Sequence, residues 1–108
     1  MQKFNDILLT LPGVDHLQAM ELRNADGSIA ALIENKPGSS GSLKVYHHLW
    51  EKWGCIDADA AKEGLALYAE HTEDARSHPG KHPNIDRLFK IIESNSALAV
   101  ETIPVGLP

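Results

Sequence analysis

Residues 19–34 read AMELRNADGSIAALIE, and this stretch places a β-hairpin in the chain. The segments AMELRNA and SIAALIE flank Asp26 and Gly27, and Asp-Gly suits a two-residue hairpin loop because both central positions accept positive φ. Setting Ala25 against Ser28 puts Leu22 opposite Ala31 and Met20 opposite Ile33 on one face. On the other, Glu21 meets Leu32 and Arg23 meets Ala30. The first face is apolar and is expected to form the core side of a sheet.

Upstream of the hairpin, Phe4, Ile7, Leu8 and Leu11 recur at helical spacing until Pro12-Gly13, which predicts a short helix over residues 2–11. Downstream, NKPGSSGS at 35–42 reads as a loop. Leu43, Tyr46, His47, Trp50 and Gly54 then trace one side of a helix capped by Ser40 or Ser42 and ended by Gly54. Asp57 is the expected N-cap of a third helix, with Ile56 positioned to staple onto Ala61. Ala61, Leu65, Tyr68, Thr72 and Ala75 carry its buried stripe to about Ser77.

Pro79-Gly80 suits the centre of a type II turn. Asn84 is expected to cap a fourth helix, in which Ile85, Leu88, Phe89 and Ile92 share a face and which the Ser94-Asn95-Ser96 cluster stops. Residues 98–103 alternate as a final strand. The order α-β-β-α-α-α-β implies an α+β fold: a three-stranded, mainly antiparallel sheet, made of the hairpin plus the C-terminal strand, with four helices largely on one face. At 108 residues a single domain spanning 1–108 is expected.

Composition narrows the function. The chain is 43% hydrophobic and 23% charged, in the range of a folded protein. Its net charge of −5, with no Lys/Arg stripe, speaks against nucleic-acid binding. Its apolar runs are far short of the roughly 20 residues a membrane span needs, no signal peptide is read, and a cytoplasmic location is expected. The one cysteine, Cys55, allows neither an intrachain disulfide nor a thiolate zinc cluster, and it reads as a small buried hydrophobe.

Chemistry concentrates in His71–Asp86, HTEDARSHPGKHPNID. His78 and His82 with Asp86 are ligand types for a divalent metal. On one continuous helix, however, His71 and His78 stand roughly 10 Å apart along the axis, and Lys81 in the turn repels a cation. The same corner suits an anion: His78, Lys81, His82, Arg87 and the amides after Asn84 supply donors at a helix start. A Gly/Ser-rich loop with Lys36, Ser40 and Ser42 is a second, weaker anion site, without the GKS or GKT ending of a P-loop. His71 and Asp74, three apart, form a carboxylate-imidazole pair for acid-base chemistry. No cofactor motif is present, so no cofactor is expected.

His47 lies on the apolar stripe, where a buried, hydrogen-bonded histidine is expected. Trp50 reads as core, and Trp53, at the edge of the stripe, is the residue to watch for contacts in a homodimer. Across HTEDARSHPGKHPNIDRLF (71–89), IENKPGSSGSLKVYHHL (33–49) and AAKEGLALYAEH (60–71), the chain resembles a family of small bacterial proteins classed as a domain of unknown function. The resemblance covers nearly the whole chain. It implies a bacterial, cytoplasmic protein and brings no activity or catalytic residue to transfer. The resulting expectation is a binding module for a small anionic ligand or a protein partner, with an enzyme or metal-binding protein using His71, Asp74, His78 and His82 as the alternative.

Overall fold

A computed structural model describes residues 2–106. The chain runs α1 (Phe4–Leu8), β1 (Leu17–Arg23), β2 (Ile29–Glu34), α2 (Ser40–Trp53), α3 (Ala58–Leu67), α4 (Glu70–Ser77), α5 (Pro83–Ser94) and β3 (Ala99–Pro104). This is the expected α+β fold. β1 is the central strand of an open sheet ordered β2-β1-β3, antiparallel at both pairings.

The register Met20↔Ile33, Glu21↔Leu32 and Leu22↔Ala31 is as expected. Met20, Leu22 and Ile33 are buried, and a one-residue slip of β1 would turn Met20 and Leu22 to solvent at roughly 1.5–3 kcal/mol each. Nearer the turn the register shifts: Arg23 pairs with Ile29 rather than Ala30, and Asn24 rather than Ala25 donates to Ser28. The loop therefore holds three residues, closed by the Gly27 amide on the Asn24 carbonyl, with Gly27 at φ 88°. Side chains decide this. Asp26 Oδ1 accepts from both the amide and the hydroxyl of Ser28, and Asn24 Nδ2 donates to Ser28 Oγ.

Several helix boundaries also differ from expectation. α1 is shorter than 2–11 and closes in tighter turns at Thr10 and Leu11. It lies on α2 at Gly41, where an added Cβ would come within 3.3 Å of Leu8. The N-cap of α2 is Ser39, not Ser40 or Ser42; Ser39 Oγ donates to the Glu34 carbonyl, and Ser42 Oγ instead accepts from the Tyr68 hydroxyl. Gly54 ends α2 at φ 82°, as expected. Trp50 is half-buried, and the α2 core face is Leu43, Val45, Tyr46, His47 and Leu49.

Asp57 caps α3 through the Ala60 amide, but the expected third helix is two helices, broken at Ala69 with φ 53°. Such a conformation costs an alanine about 1–3 kcal/mol and persists only where its surroundings enforce it. Here they do. Thr72 Oγ1 donates to the Leu65 carbonyl, Phe4 stacks on Tyr68 and meets His71 edge-on, and Glu70 accepts from the Phe4 amide. α5 starts two residues earlier than an Asn84 cap would place it, with His82 at the N-cap, because Pro83 is already set for the first helical position.

The core lies between the inner sheet face and α2, α3 and α5. At its tightest point a Cβ on Gly64 of α3 would stand 2.7 Å from Leu88 and 3.0 Å from Leu49, so this position accepts no side chain without repacking. No helix among the described residues is long and apolar enough to cross a membrane.

Candidate functional site

The end of α4, the following turn and the start of α5 form the corner that the sequence singled out. The Lys81 amide donates to the His78 carbonyl, and Gly80 takes φ 93°, which gives the expected Pro79-Gly80 turn. Folding the chain back there brings His78, Lys81 and His82 onto one carboxylate. Asp74 lies 3.3 Å from His78 Nδ1, 2.9 Å from Lys81 Nζ and 2.6 Å from His82 Nε2. The His82 hydrogen bond, then that of Lys81, hold the Asp74 carboxyl far below the usual carboxylate range.

The corner thus contains the anion its donors attract, and that anion is the chain's own. His71 does not bond Asp74; its ring packs against His82 at 5.6 Å between centroids and against Phe4. Asp86 accepts from the Gly80 amide at 2.9 Å, where it holds the turn. Among the described residues no three His, Cys, Asp or Glu side chains come together so as to hold a metal ion.

Asn84 and Arg87 belong to a different group. Arg87 Nη1 donates to Asn84 Oδ1 at 2.8 Å and to the Tyr46 hydroxyl at 3.2 Å, with the guanidinium over the Tyr46 ring. Tyr46 in turn donates to the Asn84 carbonyl at 2.5 Å. Burial pushes the Tyr46 pKa up to about 12, against the opposing pull of Arg87, so the phenol stays protonated and can donate. Arg87 is held in one orientation by a buried ring and by the helix it stands on.

Arg87 lines an open cleft of about 460 Å³ between α5 and the hairpin, with Lys90, Ser94 and Ser96 along one side and Asn24 and Ala30 on the other. Asp86 also reaches its rim, but that carboxylate is engaged by the Gly80 amide. The cleft therefore carries two cations one turn apart on α5, together with neutral hydroxyl and amide groups. Lys36, Ser40 and Ser42 do not join it: Lys36 pairs with Glu34 at 3.3 Å, and Ser42 accepts from Tyr68.

The sequence reading missed two further groups. Glu63 of α3 binds His48 at 2.7 Å, Lys52 at 2.7 Å and the Trp53 indole at 3.1 Å, clamping α2 to α3. Partial burial raises the Glu63 pKa, but the bonds from Lys52, His48 and Trp53 outweigh it and hold the carboxyl below its usual range. Trp53 is thus engaged within the chain. The second group is His16 with His47, whose rings meet edge-on at 5.5 Å. His47 is buried as expected, yet its Nδ1 has no hydrogen-bond partner among the described residues. Pairing of His16 with His47 links positions far apart in the chain and leaves no local signal.

Residues 4–102 match the family described as "Uncharacterized protein conserved in bacteria (DUF2322)". The chain belongs to that family. The match spans every helix and strand from α1 into β3, including both the Asp74 corner and the Arg87 cleft. No curated protein and no solved structure matches the chain significantly.

Proposed function

We propose that this family member is a small cytoplasmic binding module that takes an anionic ligand, a carboxylate or a phosphate ester, in the cleft between α5 and the hairpin. The observation that carries this reading is the fixed orientation of Arg87. Its guanidinium is held by Asn84 and Tyr46 at the edge of a cleft that also holds Lys90. A pre-oriented guanidinium loses little freedom on meeting a planar oxyanion, and a second cation one turn away suits a polyvalent one. Asn24, Ser94 and Ser96 add neutral polar groups to the lining, Ser94 Oγ donating to the Lys90 carbonyl and lying 2.8 Å from Ser96 Oγ.

His78, Lys81 and His82, the other donors expected at this end of α5, support the reading indirectly. Their interactions with Asp74 fix the turn from which α5 starts. The test is a melting-temperature screen with inorganic phosphate, citrate and AMP at millimolar concentration. A rise of a few degrees is expected with at least one of them, since a ligand at 100 times its Kd adds about 2.7 kcal/mol of stability. No shift with any of the three would contradict the proposal.

A second reading is catalytic, and the Asp74–His82 contact favours it. A carboxylate 2.6 Å from an imidazole is the arrangement that orients a general base. In this reading His82, flanked by His71, takes the role that the sequence had given to His71. Self-association stays part of the proposal through the exposed apolar side chains of β2, Ile29 and Leu32; sedimentation at increasing concentration tests it, and a concentration-independent monomer would remove it.

A further inference from the structure

A second cleft, of about 480 Å³, opens where the start of β1, the C-terminal half of α2 and the end of β3 meet. His16, His47 and Trp50 form a continuous aromatic wall there: His16 stands edge-on to His47 at 5.5 Å, and His47 is tilted against Trp50 at 5.7 Å. Leu17 and Pro104 add apolar surface, and among the described residues Glu51 is the one carboxylate and no lysine or arginine lines this cleft.

Its polar groups are poorly matched to each other. His47 is 6% exposed, and its Nδ1 lies 3.3 Å from Glu51 Oε1 but without hydrogen-bond geometry, so the buried nitrogen has no partner among the described residues. Buried polar atoms are paired in the great majority of cases, and an orphan calls for a cause. The Glu51 carboxylate beside this nitrogen is 54% exposed and is open to a donor seated in the cleft. Cations are also attracted to the faces of indole and other aromatic rings, most strongly when partly desolvated.

We propose that this cleft binds an organic cation, a molecule with an ammonium group and an apolar or aromatic body. The ammonium sits on Glu51 at the edge of the His47 ring, and the body lies along Trp50 and His16. This site is separate from the anion-binding cleft on α5 and does not depend on it. The two clefts have opposite charge and share no lining residue.

The test uses the Trp53→Phe protein, which leaves Trp50 as the remaining tryptophan of two. Benzylamine is titrated while Trp50 emission is followed, with uncharged benzyl alcohol as the matched control. Saturable binding of benzylamine is expected, about tenfold tighter than benzyl alcohol. Glu51→Gln, at a side chain that is 54% exposed and so tolerant of change, should erase that preference. Amide shifts in the NMR spectrum should cluster at His16, Leu17, His47 and Thr102. Equal affinity for the two compounds, no saturation below about 20 mM, an unchanged preference in Glu51→Gln, or shifts confined to the α5 cleft would each overturn the proposal.

Discussion

His82 Nε2 donates to Asp74 Oδ2 at 2.6 Å, joining the first residue before α5 to the middle of α4 across the Pro79-Gly80 turn. The same carboxylate receives Lys81 and lies beside His78. A corner rich in ligand-type side chains is thereby organised around an internal acceptor, and the free cations of this end of the molecule are left to α5.

Acid should act on this corner first. The Asp74 pKa is lowered in the folded state, so its contribution to stability is full above the ordinary carboxylate pKa and is lost as pH falls through and below about 4. Asp74→Asn should lower the melting temperature at pH 7 and flatten the decline of stability below pH 5 or so. Melting curves from pH 2 to 7 check it, and equal acid sensitivity in both proteins would contradict the assignment.

A second pH effect is expected at His47, whose pKa burial depresses despite the nearby Glu51. The unfolded chain then binds the proton more readily, so stability falls as pH drops below the ordinary histidine value of about 6.5. The groups facing this ring are His16, Trp50 and Glu51, with His48 next to it in the chain. Replacing His47 with Gln should reduce the slope of melting temperature against pH between about 5 and 7.

Gly64→Ala tests the packing of α3 on α2 and α5. Helix propensity alone favours alanine by about 1 kcal/mol. The new methyl, however, would meet Leu88 at 2.7 Å and Leu49 at 3.0 Å in side chains that are fully buried. Overpacking of this kind costs about 1–3 kcal/mol, and a net fall of several degrees in melting temperature is expected by thermal denaturation.

Tyr46→Phe removes one hydroxyl that serves two partners. The Asn84 carbonyl loses its donor and Arg87 loses an acceptor. A cost of about 1–2 kcal/mol is expected from the unpaired groups, together with weaker ligand binding as the guanidinium gains freedom. Paired measurements of melting temperature and anion affinity separate the two effects.

Much of the sheet was legible because it depends on local pattern. Met20 and Leu22 alternate with Glu21 and Arg23, and that period shows which face is buried. The hairpin loop was misjudged by one residue because Asp26, Asn24 and Ser28 bond each other, and side-chain preference for a three-residue loop outweighed the Asp-Gly signal. The break at Ala69 was invisible for another reason: beside the local Thr72–Leu65 bond, two of its causes, Phe4 on Tyr68 and Glu70 on the Phe4 amide, come from the far N-terminus.

The site was legible in composition but not in connection. His78, Lys81 and His82 were recognisable as a group, and Asp74 stands at the i−4 spacing from His78 that places both on one helix face. Whether Asp74 would serve His71 or His82 depended on the fold of the turn. Arg87 was recognisable as a donor, whereas its dependence on Tyr46, more than forty positions earlier, became visible only in three dimensions.

The central claim is tested most directly by calorimetric titration of the wild-type protein and the Arg87→Gln/Lys90→Gln double variant with inorganic phosphate, citrate and AMP. Saturable binding of at least one anion is predicted for the wild type, weakening with added salt and falling at least about tenfold in the double variant. Failure of the wild type to bind any of the three, or equal binding by the two proteins, would contradict an anion site on α5.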